Sequence, residues 1–206
     1  MKFLIGKKLG MTTLHEGVSS ENVTLVSCEP NVVTLVRTLE RDGYAAVQVE
    51  AKKTTRKTVK KEFRPPFTAK GKDEISATGI IGEPKVGDSV SLSIFEPGDI
   101  VDVIGVTKAK GFQGVVKRHG FGGQTTSHGR KHDIRKPGSI GATFPEHVVK
   151  GRRMAGRMGG KNFTVRGLRV VSVDIEKGLI ALRGAIPGVN GGLIGIRGMG
   201  RKVGGK

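Results

Sequence analysis

Lys108-Ala109-Lys110-Gly111-Phe112-Gln113-Gly114-Val115-Val116-Lys117-Arg118-His119 opens, and Lys150-Gly151-Arg152-Arg153-Met154-Ala155-Gly156-Arg157-Met158-Gly159-Gly160-Lys161 closes, a stretch from Gly105 to Asn162 that divides the chain. The stretch holds thirteen Lys and Arg, four His and thirteen Gly against two acids, Asp133 and Glu146, a net charge of +11. The whole chain of 206 residues carries +18, which leaves +7 for everything else. A segment this basic and glycine-rich buries too little apolar surface to fold on its own. A large polyanion would order it. A structureless insertion of this length inside a compact domain points to function. Residues 105–162 therefore read as a long, basic, largely irregular arm.

The residues on either side read differently. Phe3–Ile5, Val23–Cys28, Val32–Leu39 and Tyr44–Val49 are rich in β-branched residues and bounded by Gly, Asn or Pro. Asp42-Gly43 is a turn signal that predicts a hairpin between the third and fourth of these. Ser89–Ile94 alternates polar and apolar, as a half-buried strand does. Ile100–Val106, Phe163–Ile175, Leu179–Leu182 and Leu193–Ile196 continue the pattern, and 33 Gly interrupt most candidate helices. Many short strands joined by Gly and Pro turns predict a mainly β domain, a small closed barrel or a sandwich, made of residues 1–104 and 163–206. Lys52–Lys72 has nine basic residues, one acid (Glu62) and Pro65-Pro66, and reads as an extended, solvated excursion.

Composition excludes several classes. Hydrophobic residues are 36% of the chain, no apolar run approaches the roughly 20 residues of a membrane span, and no amphipathic helix or lipidation site marks a membrane binder. The first ten residues lack the apolar run and cleavage site of a secretory signal. The single Cys28 fits a reducing compartment and reads as a small core residue. These features predict a cytoplasmic protein. G-x-x-x-x-G-K-[ST] and G-x-S-x-G are absent and no acid pair stands out, so no catalytic residues are expected, and no small-molecule substrate or cofactor. His119, His128, His132 and His147 have no Cys nearby and no helix-borne pair, which argues against a metal site.

The arm's cations are Lys108, Lys110, Lys117, Arg118, Arg130, Lys131, Arg135, Lys136, Lys150, Arg152, Arg153, Arg157 and Lys161. Lys and Arg neutralise phosphates and release counterions, and Arg does so with a bidentate fork. Glycines between them let the backbone approach a phosphate closely. Aromatics are 4% of the chain, with no Trp and one Tyr. Single-strand binders stack bases on aromatic platforms, so the expected partner is folded RNA met through backbone and shape. A recognition helix or zinc finger for DNA is not visible. With His119 and His128, these cations form the candidate binding set.

The motifs identify a family. Gly6-Lys7-Lys8-Leu9-Gly10-Met11-Thr12, Asp42-Gly43-Tyr44, Lys110–Arg118, Ser127-His128-Gly129, Pro137-Gly138-Ser139-Ile140-Gly141, Lys150–Gly159 and Gly184-Ala185-Ile186-Pro187-Gly188 resemble, in order, the universal large-subunit ribosomal protein L-three family in its bacterial form. The resemblance implies a β-barrel of the translation-protein type with an arm reaching through large-subunit rRNA toward the peptidyl transferase centre. It also implies binding near the 3′ end of that rRNA early in subunit assembly, neighbouring ribosomal proteins as partners, and no catalysis. By analogy the arm tip lies near Ile140–His147, with Ile140, Gly141, Ala142, Thr143, Phe144 and Pro145 as tip residues. Many relatives carry a Gln after the Pro-Gly-Ser-Ile-Gly turn, methylated in some. Here Ala142-Thr143-Phe144-Pro145 follows, so that modification does not carry over. Where relatives often have a Trp after the first Lys-Arg, this chain has His119.

Overall fold

The computed structural model describes residues 2–16, 19–44, 46–54, 57–63 and 85–202. The chain divides into two compact units, one of residues 1–107 and 162–206, the other of residues 108–161.

In the first unit, six strands pair antiparallel, each with a neighbour on both sides: β1 (Phe3–Glu16), β2 (Ser19–Ser27), β7 (Asp99–Val106), β10 (Asn162–Asp174), β11 (Leu179–Arg183) and β12 (Leu193–Lys202). The pairings run β1 to β12, β12 to β7, β7 to β10, β10 to β11, β11 to β2 and β2 back to β1, so the ladder forms a ring. A four-stranded sheet has β3 (Asn31–Arg37) and β4 (Ala46–Thr54) at its centre, with β5 (Lys57–Phe63) and the two-residue β6 (Ser89–Val90) outside them. The unit is mainly β.

One apolar cluster joins ring and sheet. Phe3, Leu4, Ile5, Val26, Val101, Val103, Ile180, Leu182, Ile194 and Ile196 from the ring meet Val33, Val49 and Phe63 from the sheet. The rings of Phe3 and Phe63 stack with centroids 5.1 Å apart. Asn31, fully buried at the start of β3, accepts from the Ile5 amide at 2.6 Å and donates to the Ile5 and Glu29 carbonyls at 3.3 and 2.9 Å. Buried polar groups persist only when bonded in this way.

Three expectations need correction. β1 runs far past Ile5, because Gly6 and Gly10 hide the strand pattern. Gly6 belongs there for want of room, since a Cβ on it would sit 2.5 Å from the Val26 side chain and 2.7 Å from the Cys28 sulfur. Ser89–Ile94 is not one strand: β6 stops at Val90 and a single 3₁₀ turn, Leu92–Ile94, follows. Residues three apart share a side in such a turn, and Leu92 and Phe95 are both buried by it.

The third correction concerns Lys52–Lys72. Its described residues are not a solvated excursion, because Lys57–Phe63 is strand β5, paired along β4. Burial alternates along it, with Thr58, Lys60 and Glu62 exposed, Val59 and Lys61 half-buried and Phe63 buried. Residues 55–56 and 64–72 lie outside the described residues. The predicted hairpin between β3 and β4 is present, with a short helix α1 (Leu39–Asp42) at its connection.

The ring's charged groups are tied in place. Asp102, almost fully buried, accepts from Arg197 at 2.9 Å and from the Gly167 amide at 3.1 Å. The second bond sits at the irregularity where β10 shifts register against β7. Lys2 pairs with Asp99 at 2.7 Å, and Arg169 reaches both oxygens of Glu21 at 2.9 Å. Among the described residues, no helix is long and apolar enough to cross a membrane.

Candidate nucleic-acid interface

Residues 108–161 hold little regular structure: a two-stranded ribbon of β8 (Phe112–Gln113) and β9 (Gly156–Arg157), and one short helix, α2 (Val115–His119). Val115 is the unit's one buried hydrophobic residue. Backbone geometry and polar contacts, rather than a core, define its shape.

The ribbon end is the best tied. Lys110 donates its amide to the Met158 carbonyl, and Met158 donates back to that of Gly111, both at 2.9 Å. Gly120, at positive φ, closes α2 by donating to the Val116 carbonyl. Arg118 crosses to the returning chain and donates to the Met154 carbonyl at 2.6 Å; His119 Nε2 lies 3.0 Å from the same oxygen. Gly156 makes room for this crossing, since a Cβ there would lie 2.7 Å from the Arg118 guanidinium. Gly159 combines a φ of +72° with the carbonyl of Lys108 only 2.0 Å from where a Cβ would stand. No other residue fits that site.

Farther along, Gln124 donates its amide to the Ile134 carbonyl at 3.0 Å, and Arg130 donates to the Gln124 side chain. Lys136 pairs with Asp133 at 3.2 Å. An open cavity of about 390 Å³ lies among Gln124, Arg130, Asp133, Lys136, Pro137 and Gly138. His128 stands at a φ of +58°, a conformation that side chains other than Gly adopt infrequently.

Beyond it, Arg152 donates to the Ser139 carbonyl at 2.7 Å, and the Ser139 hydroxyl donates to the Gly141 carbonyl at 2.9 Å. The first of these ties the two ends of the segment containing Ile140, Gly141, Ala142, Thr143, Phe144 and Pro145 together, and the second is local to its start. Glu146, at a φ of +59°, donates its amide to the Thr143 carbonyl at 3.2 Å. His147 Nδ1 lies 2.8 Å from the Pro145 carbonyl oxygen. Phe144 is 79% exposed, and Ile140, Val148 and Val149 are exposed beside it in sequence.

The candidate cations thus fall into two groups. Arg118, Arg130, Lys136 and Arg152 spend hydrogen bonds or an ion pair inside the unit. Among the described residues, Lys108, Lys110, Lys117, Lys131, Arg135, Lys150, Arg153 and Arg157 carry no side-chain hydrogen bond or ion pair, and their charges face solvent. Lys161 has a partner within the chain. Sequence reasoning did not distinguish these groups, and it missed the acceptors, chiefly the Met154 carbonyl. The available signal was the glycine at Gly156 and Gly159, which marks close backbone approach.

The chain is thus of a mixed class, a mainly β unit with a single apolar core and a basic unit with one buried hydrophobic residue whose cations face solvent. Comparison with known proteins specifies the class. The profile of the ribosomal protein L3 family matches residues 81–193. The chain is 44% identical to the large ribosomal subunit protein uL3 of Leifsonia xyli, with 94% of this chain and 92% of that protein covered. It is 47% identical to the protein of that name from Acidothermus cellulolyticus, over 96% of this chain and 92% of the relative. The Chlorobaculum parvum protein is 43% identical, with 91% and 94% covered. The chain belongs to the ribosomal protein L3 family.

The family's terminal motifs meet in the first unit. Lys8, from the opening motif, is buried and donates to the carbonyls of Ile186 at 2.9 Å and Gly188 at 3.3 Å in the closing one. The Gly191 amide donates to the Lys8 carbonyl at 2.7 Å and the Lys8 amide to the Gly192 carbonyl at 2.9 Å, which holds the loop before β12 against β1. These motifs serve the ring itself.

Proposed function

We propose that this chain is a structural, non-catalytic constituent of the large ribosomal subunit that binds large-subunit rRNA directly, near its 3′ end, and helps nucleate subunit assembly. The ring of six strands is a small closed β-barrel of the translation-protein type, and residues 105–162 form an arm that extends through rRNA toward the peptidyl transferase centre. Neighbouring ribosomal proteins are its other partners, in the cytoplasm. The observation that carries this reading is the pairing of family membership with a unit of eight outward-facing, unpaired cations and one buried hydrophobic residue. Such a surface is suited to phosphates and unsuited to an apolar ligand. The arm's cations and His119 and His128 are the contacts, with Ile140–Pro145 at the tip.

The test is a competition assay in which bacterial large-subunit rRNA and duplex DNA of equal phosphate content compete for the full chain, followed by reconstitution. The expected result is preference for the folded rRNA and incorporation into large-subunit particles. Equal binding to duplex DNA, or exclusion from those particles, overturns the reading and favours a DNA-compacting protein.

A further inference from the structure

The two-stranded ribbon presents a phenyl ring where a cationic unit has no evident use for one. Phe112 is 76% exposed, although Val115, three residues on, is buried. Of the other phenylalanines in the unit, Phe121 packs on His119 with centroids 6.1 Å apart, and Phe144 lies in the irregular segment beyond Ser139. Among the described residues Phe112 has no ring contact. Its backbone is nonetheless fixed: it stands opposite Arg157 in the ribbon, and the Lys110–Met158 and Met158–Gly111 bonds close the ladder beside it. Gln113 adds a side-chain bond to the Lys110 carbonyl.

We infer that Phe112 is a stacking platform for a single unpaired nucleobase of the bound RNA, with Arg157 on the neighbouring strand meeting the phosphate of that nucleotide. This rests on the rRNA-binding reading above and names the RNA element met by the ribbon. Phe112 and Arg157 are register partners, and directly opposed residues in an antiparallel pair project on the same face, so both side chains leave the ribbon on one face. A protein partner would need further apolar surface around the ring, and Lys110 and Arg157 supply positive charge instead. A nucleobase offers an apolar face and carries its own anion, which matches a phenyl ring flanked by cations. Base–aromatic stacking needs no base-specific hydrogen bonds and little surrounding surface. A rigid ribbon also leaves less conformational freedom to lose on binding.

The test compares the full chain with its Phe112→Leu, Phe112→Tyr and Arg157→Ala variants, using bacterial large-subunit rRNA transcribed in vitro. Phe112→Leu keeps the apolar character, so folding is preserved while the π face is lost. It is expected to weaken binding by about ten-fold, with the slope of log K against log salt unchanged. Phe112→Tyr is expected to bind as the wild-type chain does. Arg157→Ala is expected to reduce the slope by about 1. Ultraviolet cross-linking followed by trypsin should join a nucleotide to the peptide Gly111–Lys117 in the wild-type chain and not in Phe112→Leu. Wild-type affinity in Phe112→Leu, or a changed salt slope there, overturns the inference and leaves the rRNA-binding reading standing. A wild-type chain with no preference for rRNA overturns both.

Discussion

The ammonium of Lys8 donates to the carbonyl of Ile186 at 2.9 Å, tying the first strand to a loop 178 residues along the chain. A second bond, to the Gly188 carbonyl at 3.3 Å, extends the link. The amine is buried, and its removal leaves backbone acceptors without that donor. Hydrogen bonds involving a charged group contribute about 1.5–3 kcal/mol. Lys8→Met is expected to destabilise the free protein by about 2 kcal/mol, read from urea unfolding. An unchanged midpoint would show that the loop is held by its backbone bonds alone.

Asn31 does for the ring and sheet what Lys8 does for the chain ends. It bonds both polar backbone groups of Ile5, so Asn31→Ala strands a buried amide. A loss of about 1–3 kcal/mol is expected. Asn31→Asp should not rescue it, because the carboxylate cannot donate to the Ile5 and Glu29 carbonyls. Thermal melts of the two variants check both statements.

Cys28 lies between β2 and β3 against Gly6, and burial pushes its thiol up to about 12. The fold thus favours the neutral thiol. Burial of the thiol therefore carries no pH penalty below the usual thiol range, and stability falls progressively as pH rises from that range to about 12. At about pH 8 the native thiol should resist alkylation on a timescale that labels the urea-unfolded chain completely. Rapid labelling of the native protein would contradict the burial.

Lys61 points the other way. Burial lowers its amine below the usual lysine value, so its charge opposes folding. The amine lies against β12, 3.7 Å from where a Cβ of Gly195 would stand. Lys61→Met is therefore expected to raise stability at neutral pH. Because the folded-state value is the lower one, the gap between variant and wild type should narrow as pH climbs into the ordinary lysine range. Urea titrations at several pH values measure it, and a less stable variant at neutral pH would be the contrary result.

Arg153 and Arg157 have no side-chain hydrogen bond or ion pair among the described residues, unlike Arg118 and Arg152. Replacing both with Ala should lower rRNA affinity and flatten its salt dependence by about 2 in log–log slope, while the melting temperature of the free protein stays put. Arg152→Ala should differ, since it also releases Ser139. A fall in melting temperature for the Arg153/Arg157 double variant would assign these side chains to the fold.

What the sequence shows depends on how locally the information is written. Ile100–Val106 reads as a strand because Val101 and Val103 alternate with their neighbours, and the basic segment announces itself through charge. β5 was hidden because Lys60 and Lys61 look equally solvated. Only the period that links Val59, Lys61 and Phe63 separates them, and the lysine breaks its apolar sense. β1 was hidden by Gly6, whose reason is the Val26 side chain across the ladder. In the candidate site the residue types were legible and their division of labour was not. Arg118 finds its acceptor 36 residues away, at Met154, a distance that no local pattern encodes.

Val106 and Asn162 face each other as register partners at the ends of neighbouring strands. A tight turn would suffice to connect them, and residues 108–161 occupy the place of that turn. The basic unit is therefore a cassette in a hairpin. Doubling its length would add only about 0.6 kcal/mol of closure entropy, and no ladder of the ring would change partners. Substitutions within residues 108–161, at Ala142–Pro145 for example, leave the register of the ring's strands untouched. An engineer could excise the cassette at the same two residues and ask the ring to fold without it.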